Sequence, residues 1–360
     1  MATSALEYLR DLVQLSGPSG AEEDVVRAIA RRVRPLVDTI ELDPFGNLIA
    51  VRTSARAGAR RCILAAHMDE IGFRVRSVDA AGFLRFEKVG GTDNRVLLGQ
   101  RVWVRTARGR ALGVIGVRSA HLLRDVDRTT VPPHTEQYID IGARSDIHAF
   151  EMGVRPGDPA GFVGELVELG HGSGRYTAHA LDDRAGCAIL MALLDELRDQ
   201  PLDLTLVVLF TVQEEVGLRG AQAAMRSQQG DLGLAIDTTA LDDTPEIHST
   251  HLRLGAGPAI KVLDASLIAH PSLRQGLEEA SAAAGVAVQY ELLPGIGTDA
   301  GALQFGSPGM PTGALSLGTR YTHSPVEVLD AADLDAAVRL LRHFLARAPH
   351  LDLRFTNLDG

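Results

Sequence analysis

Side chains able to bind a metal recur at one kind of place in this sequence, directly after an apolar run. "CILAA" is followed by His67 and Asp69, "LTLVVLF" by Glu214 and Glu215, "LGLAI" by Asp237, and "TGALSLGT" by "RYTHSP" with His323. A fifth segment, "ALDDRAG", sets Asp182 and Asp183 just ahead of a helical stretch. Singly, each has an ordinary explanation: a hydrogen-bonded histidine, a helix cap, a turn aspartate. Glu214-Glu215 fits none of these, because charge at the end of a buried segment is costly unless paired or metal-bound. Two histidines with three or more carboxylates form a nitrogen-and-oxygen set suited to two divalent ions. Zinc fits that set, and cobalt or manganese would tolerate the same ligands.

The spacing also suggests a division of labour. In an extended segment, positions two apart point the same way, so Asp69 lies near His67. There it can accept the imidazole's other N–H and fix its tautomer. Adjacent residues point apart, so one of Glu214 and Glu215 can bind metal while the other handles the proton of a water molecule.

These residues need an element at each position to carry them. The chain opens with helices over 4–15 and 21–33, followed by short strands around "TIELDP" and "NLIAVRT" and the buried strand "CILAAHMDEIGF". From about 73 to 164 short alternating segments, "FRVRSVD", "FLRFEKV", "RVWVRT", "GVIGV" and "YIDIG", are separated by Gly or Asp turns, the pattern of a small all-β module without a helix of useful length. Its most exposed loop is expected at Arg124–Gln137. After 165, buried strands alternate with helices again, ending in a helix over 331–347 capped by Asp330. Such alternation predicts an α/β fold, a sheet covered by helices on both faces. The expected domains are a discontinuous catalytic unit, 1–72 plus 165–360, and an inserted all-β unit, 73–164. In α/β sheets the ligand site lies outside the carboxyl ends of the strands, where the five segments deliver their side chains.

Composition narrows the class. The 360 residues are 45% hydrophobic and 23% charged, an ordinary globular balance. A net charge of −10 with scattered arginines argues against a nucleic-acid partner. No apolar run approaches the roughly 20 residues that cross a bilayer, and "MATSALEYLRDLVQL" reads as an amphipathic helix rather than a signal peptide. Cys62 and Cys187 sit in apolar runs, as buried thiols of a reducing compartment would, so the expected location is cytoplasmic.

The strings "AAHMDEIGF", "ALDDRAG", "TVQEEVGLRGA", "AIDTT", "GTDAG" and "TRYTHSPVE", in this order, resemble the tetrahedral aminopeptidases, metallopeptidase family forty-two. The likeness extends through "GGTDNRVLLGQRV" and "GPAIKVLDASLIAHP" and so covers almost the whole chain. It implies a two-metal aminopeptidase acting on peptides. His67 and Asp237 would hold one ion, Glu215 and His323 the other, and Asp182 would bridge them. Glu214 would be the general base and Asp69 would orient His67. The family fold implies an α/β catalytic domain with an inserted PDZ-like or β-barrel dimerisation domain. It also implies self-association into a tetrahedral homododecamer built from dimers.

Three other readings compete. A deacylase acting on blocked amino acids would use a related two-metal fold. A glycosidase has no use for His67 or His323. A scaffold protein would have lost a ligand or the base, and here all are present. A serine or cysteine nucleophile has little support, because neither cysteine neighbours a polar cluster in the sequence. Preference for an acidic N-terminal residue would require a basic side chain in the pocket, and Arg320 and Lys261 are the residues to place.

Overall fold

The run Leu204–Phe210 is apolar at every position but Thr205 because both of its faces are covered. In the structure, a computed structural model describing residues 3–122, 130–245 and 251–356, Leu204, Leu206, Val208 and Phe210 pack into one hydrophobic cluster. Val207 and Leu209, pointing the opposite way, pack into another. A strand alternates its side chains between faces, so only a sheet buried on both sides tolerates such a sequence. Helices Ala5–Leu12, Glu23–Val33, Leu181–Leu197, Pro271–Ala284 and Ala331–Arg347 contribute to the first cluster. Ala224 of helix Arg219–Ala224 and Leu303 of helix Ala300–Leu303 contribute to the second. The expected α/β sheet with helices on both faces is therefore observed. No helix among the described residues is long and apolar enough to cross a membrane.

At the centre of this 11-stranded mixed sheet, Thr205–Thr211, Arg61–His67, Leu232–Leu241 and Thr312–Arg320 lie side by side and parallel. Shorter antiparallel strands extend both edges. Register aligns the ends that matter. Thr211 pairs with His67, Ala65 with Ala235, and Asp237 with Ser316. His67, Asp237 and the turn beginning after Thr211 thus lie at the same level, although the strand bearing Asp237 continues to Leu241.

Six strands, Gly72–Val78, Leu84–Val89, Arg101–Thr106, Gly109–Ile115, Ile139–Asp140 and Pro159–Phe162, close into a barrel. Its core is an edge-to-face trio, with Phe73 4.9 Å from Phe86 and 5.3 Å from Phe162 between ring centroids. One six-residue helix, Asp146–Glu151, interrupts the region expected to be all-β, its first turn capped by Ser145 accepting the His148 N–H. The expected exposed loop Arg124–Gln137 lies partly outside the described residues. Asp330 caps helix Ala331–Arg347 as predicted, accepting the Ala332 N–H.

Candidate metal centre

The five segments bring their side chains together, four of them at strand ends or turns and Asp237 from within the strand Leu232–Leu241. His67 Nε2 lies 3.2 Å from Asp182 Oδ1 and 3.8 Å from Asp237 Oδ1. His323 Nε2 lies 3.4 Å from Asp182 Oδ2 and 3.3 Å from Glu215 Oε1. Two trios result, His67–Asp182–Asp237 and Asp182–Glu215–His323, each with its donor atoms within 4.8 Å of one another. Asp182 belongs to both and offers a different oxygen to each. Glu214 belongs to neither, but its Oε2 is 3.9 Å from His67 Nε2, beside the first trio.

The two adjacent aspartates separate into different tasks. Although they open helix Leu181–Leu197, both have non-helical backbone angles. Asp183 does behave as a cap, its Oδ1 accepting the Gly186 N–H, while its Oδ2 accepts the His67 N–H. That leaves the Asp182 carboxylate to face the two histidines.

Hydrogen bonding fixes what the imidazoles present. His323 Nδ1 is 2.7 Å from the Gly91 carbonyl, and His67 Nδ1 is 3.1 Å from the main-chain carbonyl of Asp69. A carbonyl can only accept, so each Nδ1 carries the proton. Nε2 is then the nitrogen each imidazole turns toward the carboxylates, and in the neutral ring it has a lone pair for a cation. Glu215 Oε1 is buried and has no hydrogen-bond partner among the described residues. Carboxylates converging on two imidazole nitrogens need positive charge among them, and imidazole and carboxylate ligands suit a divalent transition metal. The residues present therefore fit metal ions.

The electrostatics make the same demand. Burial pulls the His67 imidazole down, but Asp182, Asp69, Glu214 and Asp237 outweigh it and hold it well above its ordinary value. His323 is likewise pushed to about 12, burial being overcome by Asp182 and Glu215. Glu214 goes well up through burial, although His67 opposes the shift, and Asp237, Asp299 and Glu215 add to it. Asp237 goes well up for the same first reason. Asp182 moves the opposite way: burial would raise it, but the His323 and His67 imidazoles outweigh that and hold its carboxyl well below its ordinary value. Glu214 and Asp237 are thus the acids left short of positive charge.

Asp69 lies beside His67 as expected, with Oδ1 3.5 Å from Nδ1. The shorter contact is nevertheless to its backbone carbonyl. Its carboxylate is engaged instead by the Ser19 hydroxyl at 2.6 Å and by the N–H groups of Glu214 at 2.9 Å and Glu215 at 3.2 Å. One buried side chain thus anchors the turn bearing both glutamates. Glu22 assists: its Oε1 accepts the Gln213 N–H at 3.2 Å and the Gly20 N–H at 2.7 Å. These restraints hold a strained backbone. Ala180, Gln213, Leu218, Tyr321 and His323 are non-glycine residues with φ between 55° and 62°. Each lies in a turn that carries the site, and each such residue costs on the order of 1–3 kcal/mol.

Sequence reasoning missed Ser19, Glu22, Gly91, Asp299 and Glu327. Asp299 is buried beside Thr211, whose hydroxyl it accepts, and burial pushes its carboxyl to about 6. "GTDAG" and "THSPVE" contain Asp299 and Glu327, but nothing in those strings assigns them a task. Cys187, expected to be remote from polar groups, in fact borders the site, with Sγ 3.1 Å from the His67 carbonyl. Burial pushes its thiol well up, so it is no nucleophile. Both cysteines are free and buried. Neither basic candidate for substrate binding is idle: Arg320 grips Asp243 at 2.6 and 2.8 Å, and the buried Lys261 pairs with Glu291 and Asp264.

A helix-covered α/β sheet with acidic and imidazole groups at the carboxyl ends of parallel strands defines a metal-dependent hydrolase. The sequence model of the M42 glutamyl aminopeptidase family matches residues 46–340, and the chain belongs to that metallopeptidase family. A putative aminopeptidase of Acetivibrio thermocellus is 41% identical over 93% of this chain and 96% of its own. Among solved structures, an aminopeptidase from the archaeon Desulfurococcus kamchatkensis superposes with a TM-score of 0.90 at 37% identity, covering 95% of this chain and 94% of its own. The Pyrococcus horikoshii TET1 peptidase, which can assemble into a tetrahedron or a large octahedral shell, gives 0.85 at 36% identity, covering 95% of this chain and 99% of its own. Family membership makes this chain an aminopeptidase that uses divalent metal.

The Glu22 brace yields a pH signature. Burial, then the neighbouring Asp69, push its carboxyl from 4.5 to about 7, against the Gly20 and Gln213 N–H groups. A raised pKa means that the fold disfavours the ionised form, so the stability is fully present below the unfolded value and is lost as pH rises through the folded one. Glu22→Gln cannot ionise yet keeps an acceptor oxygen. Its melting temperature relative to the unsubstituted protein is expected to climb between about pH 5 and about pH 8. A difference that stays flat across that range contradicts the assignment.

Proposed function

We propose that Asp182 bridges two divalent ions, with His67 and Asp237 completing one site and Glu215 and His323 the other. We further assign Glu214 as the general base for removal of N-terminal residues from peptides. The observation that carries this reading is the pair of donor trios sharing Asp182 through its two oxygens. When bound, the ions would polarise the scissile carbonyl and lower the pKa of the attacking water. Glu214, next to the first trio but outside it, takes the water's proton and passes it to the leaving amine. Asp69 holds the Glu214 N–H and so aims that carboxylate, while its backbone carbonyl fixes the His67 tautomer. Zinc is the first candidate, with cobalt and manganese as alternatives.

The division into 1–72 plus 165–360 and an inserted 73–164 unit belongs to the same reading, as does a cytoplasmic location, which buried free thiols suit. Self-association through the barrel into a tetrahedral dodecamer is favoured by exposed Leu112, Val114, Val117, Leu122, Ile147 and Phe150 in that region. The assembly of the Pyrococcus horikoshii relative supports it too.

The test begins with protein stripped by a chelator, restored with zinc or cobalt, and given aminoacyl anilides with free or acetylated amines. Metal-dependent cleavage of the free-amine substrates alone is the expected result. Release of the acetyl group instead would make the protein a deacylase. In the same assay Glu214→Gln should retain its metal content yet lose roughly 10²–10⁴-fold in turnover. Unchanged turnover would remove Glu214 from the role of base.

A further inference from the structure

Glu327 touches the site without belonging to either trio. It opens the strand Glu327–Asp330, which runs antiparallel to Arg175–Ala178 with Glu327 opposite Ala178. The chain leaves the sheet at both positions and enters the site from two sides: Asp182 follows Ala178 by four residues, and His323 precedes Glu327 by four. The buried Glu327 carboxylate spans the gap. Its Oε1 accepts the His323 N–H at 2.7 Å, and its Oε2 accepts the Asp182 N–H at 3.1 Å. Both oxygens are engaged by main-chain donors, which sets Glu327 apart from a ligand. The residues it joins through their backbones are also those whose side chains meet, His323 Nε2 and Asp182 Oδ2 lying 3.4 Å apart.

The two turns need such a restraint. Ala180, Tyr321 and His323 all hold left-handed backbone angles, with φ of 55°, 58° and 62°. This is a conformation that side-chain-bearing residues leave unless their surroundings over-determine it. His67 and Asp237 are placed differently. They stand on the strands Arg61–His67 and Leu232–Leu241, locked by parallel pairing at the centre of the sheet. The first trio thus shares one member, Asp182, with the turns that Glu327 ties, whereas the second shares two, Asp182 and His323.

We propose that Glu327 is a positioning residue that sets the separation of Asp182 from His323, and so tunes the affinity of the Asp182–Glu215–His323 site selectively. This rests on the two-ion reading above. Glu327→Gln keeps the size of the side chain and one acceptor oxygen, but its amide nitrogen cannot accept the second N–H. Glu327→Asp keeps both acceptors but is too short to span both donors.

The experiment is calorimetric titration of chelator-stripped protein with zinc, alongside the melting temperature of the same metal-free samples. The unsubstituted protein should take up two ions. Glu327→Gln and Glu327→Asp should each keep one ion at near-normal affinity and bind the other about 10–100-fold more weakly, the range seen when an outer partner of a ligand is removed. A purely structural contribution would lower the melting temperature without separating the two affinities. Two normal affinities in both substituted proteins, or an equal fall in both, would overturn the proposal. Uptake of fewer than two ions by the unsubstituted protein would overturn the two-ion reading itself, a failure visible before any substitution is compared.

Discussion

The arrangement of this molecule depends on negative charge gathered where water is scarce. Asp69, Asp182, Asp183, Glu214, Glu215, Asp237, Asp299 and Glu327 lie around two imidazoles, all eight carboxylates buried or nearly so. Some are satisfied by donors from the protein. Asp69 receives a hydroxyl and two N–H groups, Asp183 two N–H groups, and Glu327 two more. Asp182 and Glu215 instead face the imidazole Nε2 atoms, and Asp237, which receives one N–H from Thr238, faces His67 beside them. The N–H donors go mostly to the carboxylates that position, leaving those that face one another dependent on a cation.

That concentration is possible because the framework beneath it is apolar and rigid. Parallel strands buried on both faces bring His67, Thr211 and Asp237 level, while Leu232–Leu241 and Thr312–Arg320 run on together beyond them. The turns are strained at non-glycine residues, and the acceptors that hold them are Asp69 and Glu22 for the Glu214 turn and Glu327 for the other two. The barrel contributes as well, since the Gly91 carbonyl that orients His323 leaves a strand of that unit. Gly90 sits against the same corner, where a Cβ would come within 3.3 Å of Glu215. Catalytic sheet and barrel thus share in one site, although their hydrophobic cores are separate.

Much of this was legible in the sequence, for a physical reason. An apolar run covered on both faces announces a buried strand, and a ligand-type residue directly after it has few ordinary explanations. His67, Glu214, Glu215, Asp237 and His323 were singled out this way and Asp182 with Asp183 ahead of a helix, and the family resemblance then picked the five that meet as two trios. The α/β sheet and the capping role of Asp330 were read from equally local patterns. What escaped notice acts through tertiary contacts that no local string announces: Glu22 and Glu327 accept main-chain N–H groups, Ser19 donates to Asp69, and Asp299 accepts the Thr211 hydroxyl. Asp69 illustrates the point: its nearness to His67 followed from a spacing of two, but its grip on the Glu214 and Glu215 N–H groups depends on tertiary packing alone. Asp182 and Asp183 looked alike in the string, and only the backbone turn between them makes one a cap and leaves the other facing both imidazoles. The short helix at Asp146–Glu151 was missed because six residues carry too little periodicity to register.

The central claim is that one carboxylate, Asp182, joins two metal ions. A crystal of zinc-loaded protein measured at the metal absorption edge tests it directly. The account predicts two anomalous peaks per chain, one between His67, Asp182 and Asp237 and one between Asp182, Glu215 and His323, with a different Asp182 oxygen at each. A single peak, or two peaks of which Asp182 touches only one, would contradict it.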